Sequence, residues 1–177
     1  MLKEYSNGFV AEELVQQSAE MALLNPSSLN TVRLTTVRMD DRIEFLMPRL
    51  RCGRRGMQID NASSGGVLCG VDLGTGTVTC ATLKSGIALT CHPDSGLQLI
   101  GFQIPRWKEA IKLAEELCAI VPTNRYAGWD LALTDDGWIM IEGNSWAEFG
   151  SQILDHKGMK PKMDALLQEL GLPVLPV

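Results

Sequence analysis

The stretch from Gly128 to Asn144 leaves the chain few choices of fold. Gly128-Trp129-Asp130-Leu131-Ala132-Leu133-Thr134 and Trp138-Ile139-Met140-Ile141-Glu142-Gly143-Asn144 flank Asp135-Asp136-Gly137. Both flanks alternate with period two and the middle is a turn signal, which predicts a β-hairpin. A three-residue loop ending in glycine suits a type I turn closed by a left-handed residue. In that register Asp130 faces Glu142, and Asn144 follows on the same side. Leu131, Leu133, Ile139 and Ile141 then share the apolar side. Like charges directly opposite on a sheet are destabilising. A hard divalent cation removes that penalty, because carboxylate and amide oxygens are ligands that Mg²⁺ accepts. Asp130, Glu142 and Asn144 are therefore candidate metal ligands. The competing reading is a solvated acidic edge.

Composition narrows the partners. The 177 residues are 45% hydrophobic, enough to bury a core, and one domain is expected. A net charge of −5 argues against non-specific nucleic-acid or membrane-surface binding. No run has the length of a membrane span, and Met1-Leu2-Lys3-Glu4-Tyr5-Ser6 lacks the apolar core of a signal peptide, so a cytoplasmic setting is expected. The five cysteines include no C-x-x-C pair, which suits reduced thiols. The adjacent Cys91-His92 is not a usual ligand spacing.

Phe9 to Val15 reads as a strand, and residues 16–29 as polar loop around Asn25-Pro26-Ser27-Ser28. Strands are predicted at Val32–Val37 and Ile43–Leu50 about the turn Met39-Asp40-Asp41-Arg42. Two more are predicted at Val67–Val71 and Val78–Leu83. Residues 84–104, broken by Gly86, Pro93, Gly96 and Gly101, read as irregular chain with short strands. Pro105–Val121 is the clearest helix, with Trp107, Ala110, Ile111, Ala114, Leu117, Cys118 and Val121 on one stripe. Lys160–Leu170 is a second, burying Met163, Leu166, Leu167 and Leu170 and capped by Gly171. The absence of a βαβ rhythm gives α+β with a mainly antiparallel sheet packed by helices.

Three further segments look like parts of a site. Asp60-Asn61-Ala62-Ser63-Ser64-Gly65-Gly66 follows Arg51, Arg54 and Arg55. Small residues let backbone N–H groups approach an anion and guanidinium groups add bidentate donors, so phosphate is the natural guest. An ordinary flexible loop has the same composition. Arg33, in Asn30-Thr31-Val32-Arg33, lies inside a strand and points either to solvent or into a site. Glu12-Glu13-Leu14-Val15 can offer backbone groups to a purine from a strand edge, or be a plain strand with exposed acids. Trp129, Trp138 and Trp146 cluster about the hairpin and are expected to pack rather than to form a binding platform.

Taken in order, these segments resemble the ATP-grasp superfamily, and most of all its sugar-transfer-associated members. The resemblance rests on Asn-Thr-x-Arg at 30–33, Asp-Asn-x-x-x-Gly-Gly at 60–66, Gly-Trp-Asp at 128–130 and Glu-Gly-Asn at 142–144, and spans about residues 8–170. D-alanine–D-alanine ligase, glutathione synthetase and ribosomal-protein glutamate ligases share the Asp, hairpin, Glu-x-Asn order. The resemblance implies ATP and Mg²⁺ as cofactors, with Asp130, Glu142 and Asn144 as metal ligands. Arg33 and Asn61 would lie near the γ-phosphate or the reacting carboxylate. Glu12, Glu13 and Val15 would serve the adenine, and Gly65 and Gly66 the phosphates. The implied reaction joins a small-molecule carboxylate to an amine or thiol acceptor through an acylphosphate. The family's name suggests polysaccharide or cell-envelope biosynthesis as its setting.

The family's first half normally supplies nucleotide-contacting lysines, and Lys3 matches neither. The expectation is therefore a single partial ATP-grasp domain over residues 1–177, a hinge strand with the C-terminal subdomain. Its exposed face would meet another copy or an N-terminal subdomain. Two rival readings stand beside the ligase: a truncated or degenerate module that binds nucleotide or a partner without catalysis, and a plain α+β domain that binds through its tryptophans.

Overall fold

The computed structural model describes residues 13–57 and 65–174. Six strands form one antiparallel sheet in the order β4-β3-β2-β1-β5-β6. They are β1 (Thr31–Arg38), β2 (Ile43–Cys52), β3 (Val67–Val71), β4 (Val78–Leu83), β5 (Tyr126–Thr134) and β6 (Gly137–Asn144). The helices are α1 (Ala19–Ala22), α2 (Trp107–Ile120) and α3 (Lys160–Glu169), with a 3₁₀ turn at Gly150–Asp155. The α+β class and the antiparallel sheet are as the sequence predicts.

The strands are placed by their β-branched and aromatic content and by turns that forbid continuation. One sheet face carries the main core: Val32, Leu34, Phe45, Leu50, Cys69, Trp129, Leu131 and Leu133 pack under Trp107, Ala110, Ala114 and Cys118 of α2. Small residues on that stripe let the helix lie close to the sheet. Cys118 Sγ reaches Thr36 Oγ1 at 3.2 Å, and the same oxygen accepts from Trp129 Nε1 at 3.0 Å. On the opposite face a smaller core of Val37, Met39, Leu46 and Met47 is covered by Met163 and Leu166 of α3.

Several sequence expectations are corrected. Glu13–Val15, the described part of the predicted first strand, forms no strand, and Glu13 and Leu14 are exposed. Residues 16–29 hold the short helix α1, capped by Ser18, whose Oγ accepts from Met21 N at 3.4 Å. Residues 84–104 make isolated bridges such as Thr82↔Ala88 and Cys91↔Gln98 rather than named strands. Pro105 lies before α2, because Arg106 takes a left-handed φ of 52° and the helix starts at Trp107, whose Nε1 is tied to Leu73 O at 2.8 Å. Val121 lies past the end of α2 and is exposed. Of the stripe predicted for α3, Met163 and Leu166 are buried, while Leu167 and Leu170 are half-buried.

Two irregularities decide which residues meet. Between β1 and β2 the register steps from Arg33↔Arg49 to Thr35↔Leu46, so β2 carries an extra residue at Met47-Pro48. Met47 holds a φ of 43° there, a conformation costing a non-glycine residue roughly 1–2 kcal/mol. A proline without an N–H is tolerated at such a bulge. Between β5 and β6 the register steps from Asp130↔Glu142 to Leu131↔Met140, so Ile141 is a second extra residue. Each bulge reverses the facing of every side chain beyond it.

Candidate functional site: a charged row across the sheet

The β6 bulge is why the hairpin prediction is right about Asp130, Glu142 and Asn144 and wrong about the pairs nearer the turn. The strands close at Thr134↔Gly137, leaving Asp135-Asp136 as a two-residue loop, with Gly137 at a φ of 139°. Leu131 and Leu133 then stand opposite Met140 and Trp138, not Ile141 and Ile139. Ile141 is 41% exposed, so the predicted apolar face fails on β6. Beyond the bulge, Glu142 returns to a place opposite Asp130, and Asn144 to one opposite Gly128.

The β2 bulge does the same for two arginines. Counted from Phe45, which faces the main core, strict alternation would turn Arg49 and Arg51 into that core. The extra residue turns them to the other face, where Arg49 stands opposite Arg33 and Arg33 opposite Asp130. One transverse row thus crosses the sheet: Cys80, Gly70, Arg49, Arg33, Asp130, Glu142.

Asp130 is the centre of this row and only 4% exposed. Arg33 Nε donates to its Oδ1, Arg33 Nη2 to its Oδ2 at 2.6 Å, and Arg51 Nη1 to the same Oδ2 at 3.0 Å. The amide of Asn144, in the orientation that satisfies both neighbours, donates to Glu142 Oε1 at 2.9 Å and accepts from Arg33 Nη2 at 3.2 Å. Asp130 is thus compensated by guanidinium groups, the charge-assisted bidentate pairing for which arginine is suited, while Glu142 is met by the Asn144 amide. Among the described residues no group of three or more His, Cys, Asp or Glu side chains could hold a metal. Asp130, Glu142 and Asn144 nonetheless present only oxygen-bearing side chains on one face. That set fits Mg²⁺, which takes few protein ligands and fills its shell with water and phosphate oxygens.

Two glycines make the row possible. A Cβ on Gly128 would lie 2.7 Å from Ala147 Cβ and 3.2 Å from Arg33 Cδ. A Cβ on Gly143 would lie 3.1 Å from the Trp129 ring. The first opens the path of the Arg33 side chain; the second admits the indole on the opposite sheet face.

The surrounding contacts hold the frame. Arg49, 2% exposed, donates from Nη2 to Ser151 O at 3.0 Å and to Asp155, fixing the 3₁₀ turn over the sheet, and its Nε has no partner. Tyr126 Oη donates to Ala147 O at 2.5 Å and its ring stacks on Phe149. Burial pushes the Tyr126 phenol up to about 12, with Arg33 acting against this, so it stays a donor. Asn30 is fully buried and ties β1 to Gln17, Met21 and Asn25, and accepts from Gly53 N at 3.3 Å. Two clefts beside the start of α2, lined by residues such as Arg106, Glu109 and Trp138, include none of the row.

The family profile described as sugar-transfer associated ATP-grasp matches residues 2–168. The chain belongs to the sugar-transfer-associated ATP-grasp family. Comparison with curated proteins and with solved structures returns no match.

The row gathers three residues that the ATP-grasp resemblance singles out, Arg33, Asp130 and Glu142, and a fourth, Asn144, reaches Glu142 and Arg33 from beside it. Glu12 and Asn61 lie outside the described residues. Gly65 is exposed with a φ of 96°, and Gly66 leads into β3, whose Leu68 stands opposite Arg51. Glu13 and Val15 make no part of the row. Arg54 and Arg55 are spent: Arg54 pairs with Asp94 at 2.6 and 3.0 Å, and Arg55 bonds the same residue. The Arg54 guanidinium, then the Arg55 N–H, hold the Asp94 carboxyl well below the usual range. His92 is spent as well, its Nε2 on Gly53 O at 2.9 Å and its Nδ1 accepting from Asp94 N and Ser95 N. Trp129 and Trp138 pack as expected, but Trp146 is 88% exposed. Sequence reasoning missed Arg49 and the place of Arg51. Their signal was two arginines at alternate positions of an otherwise apolar strand, immediately after an in-strand proline. Among the described residues no helix is long and apolar enough to cross a membrane.

Proposed function

We propose that this face binds the triphosphate of ATP with Mg²⁺ and supports carboxylate–amine or carboxylate–thiol ligation through an acylphosphate. The observation that carries the reading is the pairing of Arg33 with Asp130 beside Glu142 and Asn144, four residues at the family's motif positions. Asp130, Glu142 and Asn144 would hold Mg²⁺, which when bound supplies charge neutralisation at the phosphate oxygens. Arg33 orients the phosphate through its planar fork. A substrate carboxylate oxygen forms a bond to the γ-phosphorus as the bond to the bridging oxygen of ADP breaks. The acceptor then attacks the acyl carbon, inorganic phosphate leaves, and the acceptor's proton passes to solvent. Positioning and charge are what the residues contribute, and no protein nucleophile is required. A polysaccharide or cell-envelope setting follows only from the family's description.

A second reading is a module that binds nucleotide or a partner without turnover. It is favoured by one observation: Asp130 already satisfies two guanidinium groups.

Calorimetric titration with ATP, with and without Mg²⁺, tests both readings on the wild type, Asp130→Asn and Glu142→Gln. The ligase reading expects Mg²⁺-dependent binding, weakened about tenfold or more in each variant. It also expects ADP release with a panel of carboxylates and amines. Absence of binding by the wild type overturns it. Binding indifferent to both substitutions, without ADP release, selects the second reading.

A further inference from the structure

We infer that Arg51, with Arg33, occupies the place on Asp130 that a divalent cation would take, so that the chain admits the metal only together with a phosphate. The inference rests on Asp130 as a metal ligand, the reading given above, and assigns to Arg51 a role that the family's motif residues do not include.

Asp130 Oδ2 accepts from both Arg33 Nη2 and Arg51 Nη1, at 2.6 and 3.0 Å, while Oδ1 accepts from Arg33 Nε. Three of its roughly four lone-pair directions are taken. Its side chain is 5% exposed, leaving no room for a hydrated ion to approach while the guanidinium groups stay. A doubly charged cation on either oxygen would sit against two fixed positive charges in a partly buried setting, where like-charge repulsion is far stronger than in water. Arg49, directly opposite Arg33, is itself paired with Asp155, so the positive charge facing an incoming cation is that of Arg33 and Arg51. Glu142 keeps its charge but is exposed, so solvent screens it and it offsets this charge only in part.

The arginines differ from Asp130 in one respect that supplies the release. Their side chains keep 21% and 17% of their surface exposed, so an anion can meet them from solvent. A phosphate offers each guanidinium a bidentate partner at least as good as the carboxylate. Once they turn to it, Asp130 is left with free lone pairs and a local excess of negative charge, the condition for a hard cation. Arg51 determines this order because it meets Asp130 through Oδ2, whereas Arg33 holds both oxygens and also aligns the phosphate.

Mn²⁺ binding followed by electron paramagnetic resonance tests the order, on the full chain without and then with ATP. Wild type is expected to show no Asp130-dependent Mn²⁺ site without nucleotide and to gain one with ATP. Arg51→Gln, which keeps a hydrogen-bond donor but removes the charge, should bind Mn²⁺ without nucleotide at least about tenfold more tightly than wild type. Arg51→Lys, which keeps the charge, should behave as wild type, a contrast that a purely structural role would not produce. Loss of the new site in Arg51→Gln with Asp130→Asn ties it to that carboxylate. The inference is overturned by nucleotide-free Mn²⁺ binding to wild type that Asp130→Asn abolishes, or by a folded Arg51→Gln chain with no gain. If wild type fails to take Mn²⁺ even with ATP while Arg51→Gln takes it at Asp130, the exclusion stands and the ATP reading of the site falls.

Discussion

At the scale of single residues, the motif positions divide into those that form the charged row and those that make room for it. Arg33 and Asp130 meet; Asn30, three residues before Arg33, instead knots the 17–25 segment to the end of β2. Gly128 belongs to the second class. Gly128→Ala puts a methyl 2.7 Å from Ala147 Cβ and against Arg33 Cδ, and should cost about 1–3 kcal/mol in urea denaturation. Gly143→Ala, with its nearest contact at 3.1 Å, should cost less. Asp94 makes a pH-dependent prediction. Its folded-state value is held below the ordinary 3.8, by the Arg54 side chain first and the Arg55 N–H second. A depressed carboxyl stabilises the fold fully above its unfolded value and loses that contribution as pH falls through the folded one. The wild type should therefore melt higher than Asp94→Asn near neutrality, and the two melting temperatures should converge as the solution is acidified below about pH 4. A gap that stays constant into acid would refute this.

At the scale of elements, the two bulges do what no strand assignment does. Were β2 to alternate strictly through Met47-Pro48, Arg49 and Arg51 would point into the core under α2; were β6 to alternate strictly through Ile141, Glu142 would point at the face that buries Trp129. Deleting Ile141 should leave Glu142 in place, because Met140 and Glu142 already stand opposite the adjacent Leu131 and Asp130. Ile141→Ala removes a 41%-exposed side chain and should change stability by under about 1 kcal/mol, and the deletion, which closes the bulge without moving Glu142 from its place opposite Asp130, should also leave the chain folded. Denaturation midpoints of the two variants check this; loss of the folded state on deletion would mean that the extra residue itself holds the hairpin. The other elements were legible because their signals are local. The stripe Trp107, Ala110, Ala114, Cys118 marked α2, and Gly-, Asp- and Pro-bearing turns bounded β1 to β4. The short α1 and the 3₁₀ turn at Gly150–Asp155 were not legible, since four and six residues are too few for a periodicity to emerge.

For the whole molecule, the sheet separates two environments: an apolar core under α2, and a polar face on which the charged row lies between the 3₁₀ turn and β6. A ligand that binds this face only in the folded state stabilises the entire chain by mass action. ATP with Mg²⁺ at a hundredfold excess over its Kd should add about 2.7 kcal/mol, or roughly 5–10 °C in Tm for a chain of this size. At the same ligand concentration that shift should fall by about half or more in Glu142→Gln, whose exposed side chain leaves the fold intact. A shift that stays undiminished without Mg²⁺ or in the variant would place the nucleotide elsewhere. The sequence by itself determined the α+β class, the order of strands and long helices, the family, and the pairing of Asp130 with Glu142. Each of these is written in local periodicity, turn chemistry or short motifs. Only the tertiary structure decided that Arg49 and Arg51 share the face of Arg33, and that Asp130 is met by guanidinium groups. The reason is physical: one inserted residue in a strand reverses the facing of all that follow, and pairing across strands 79 and 97 residues apart leaves no trace in local pattern.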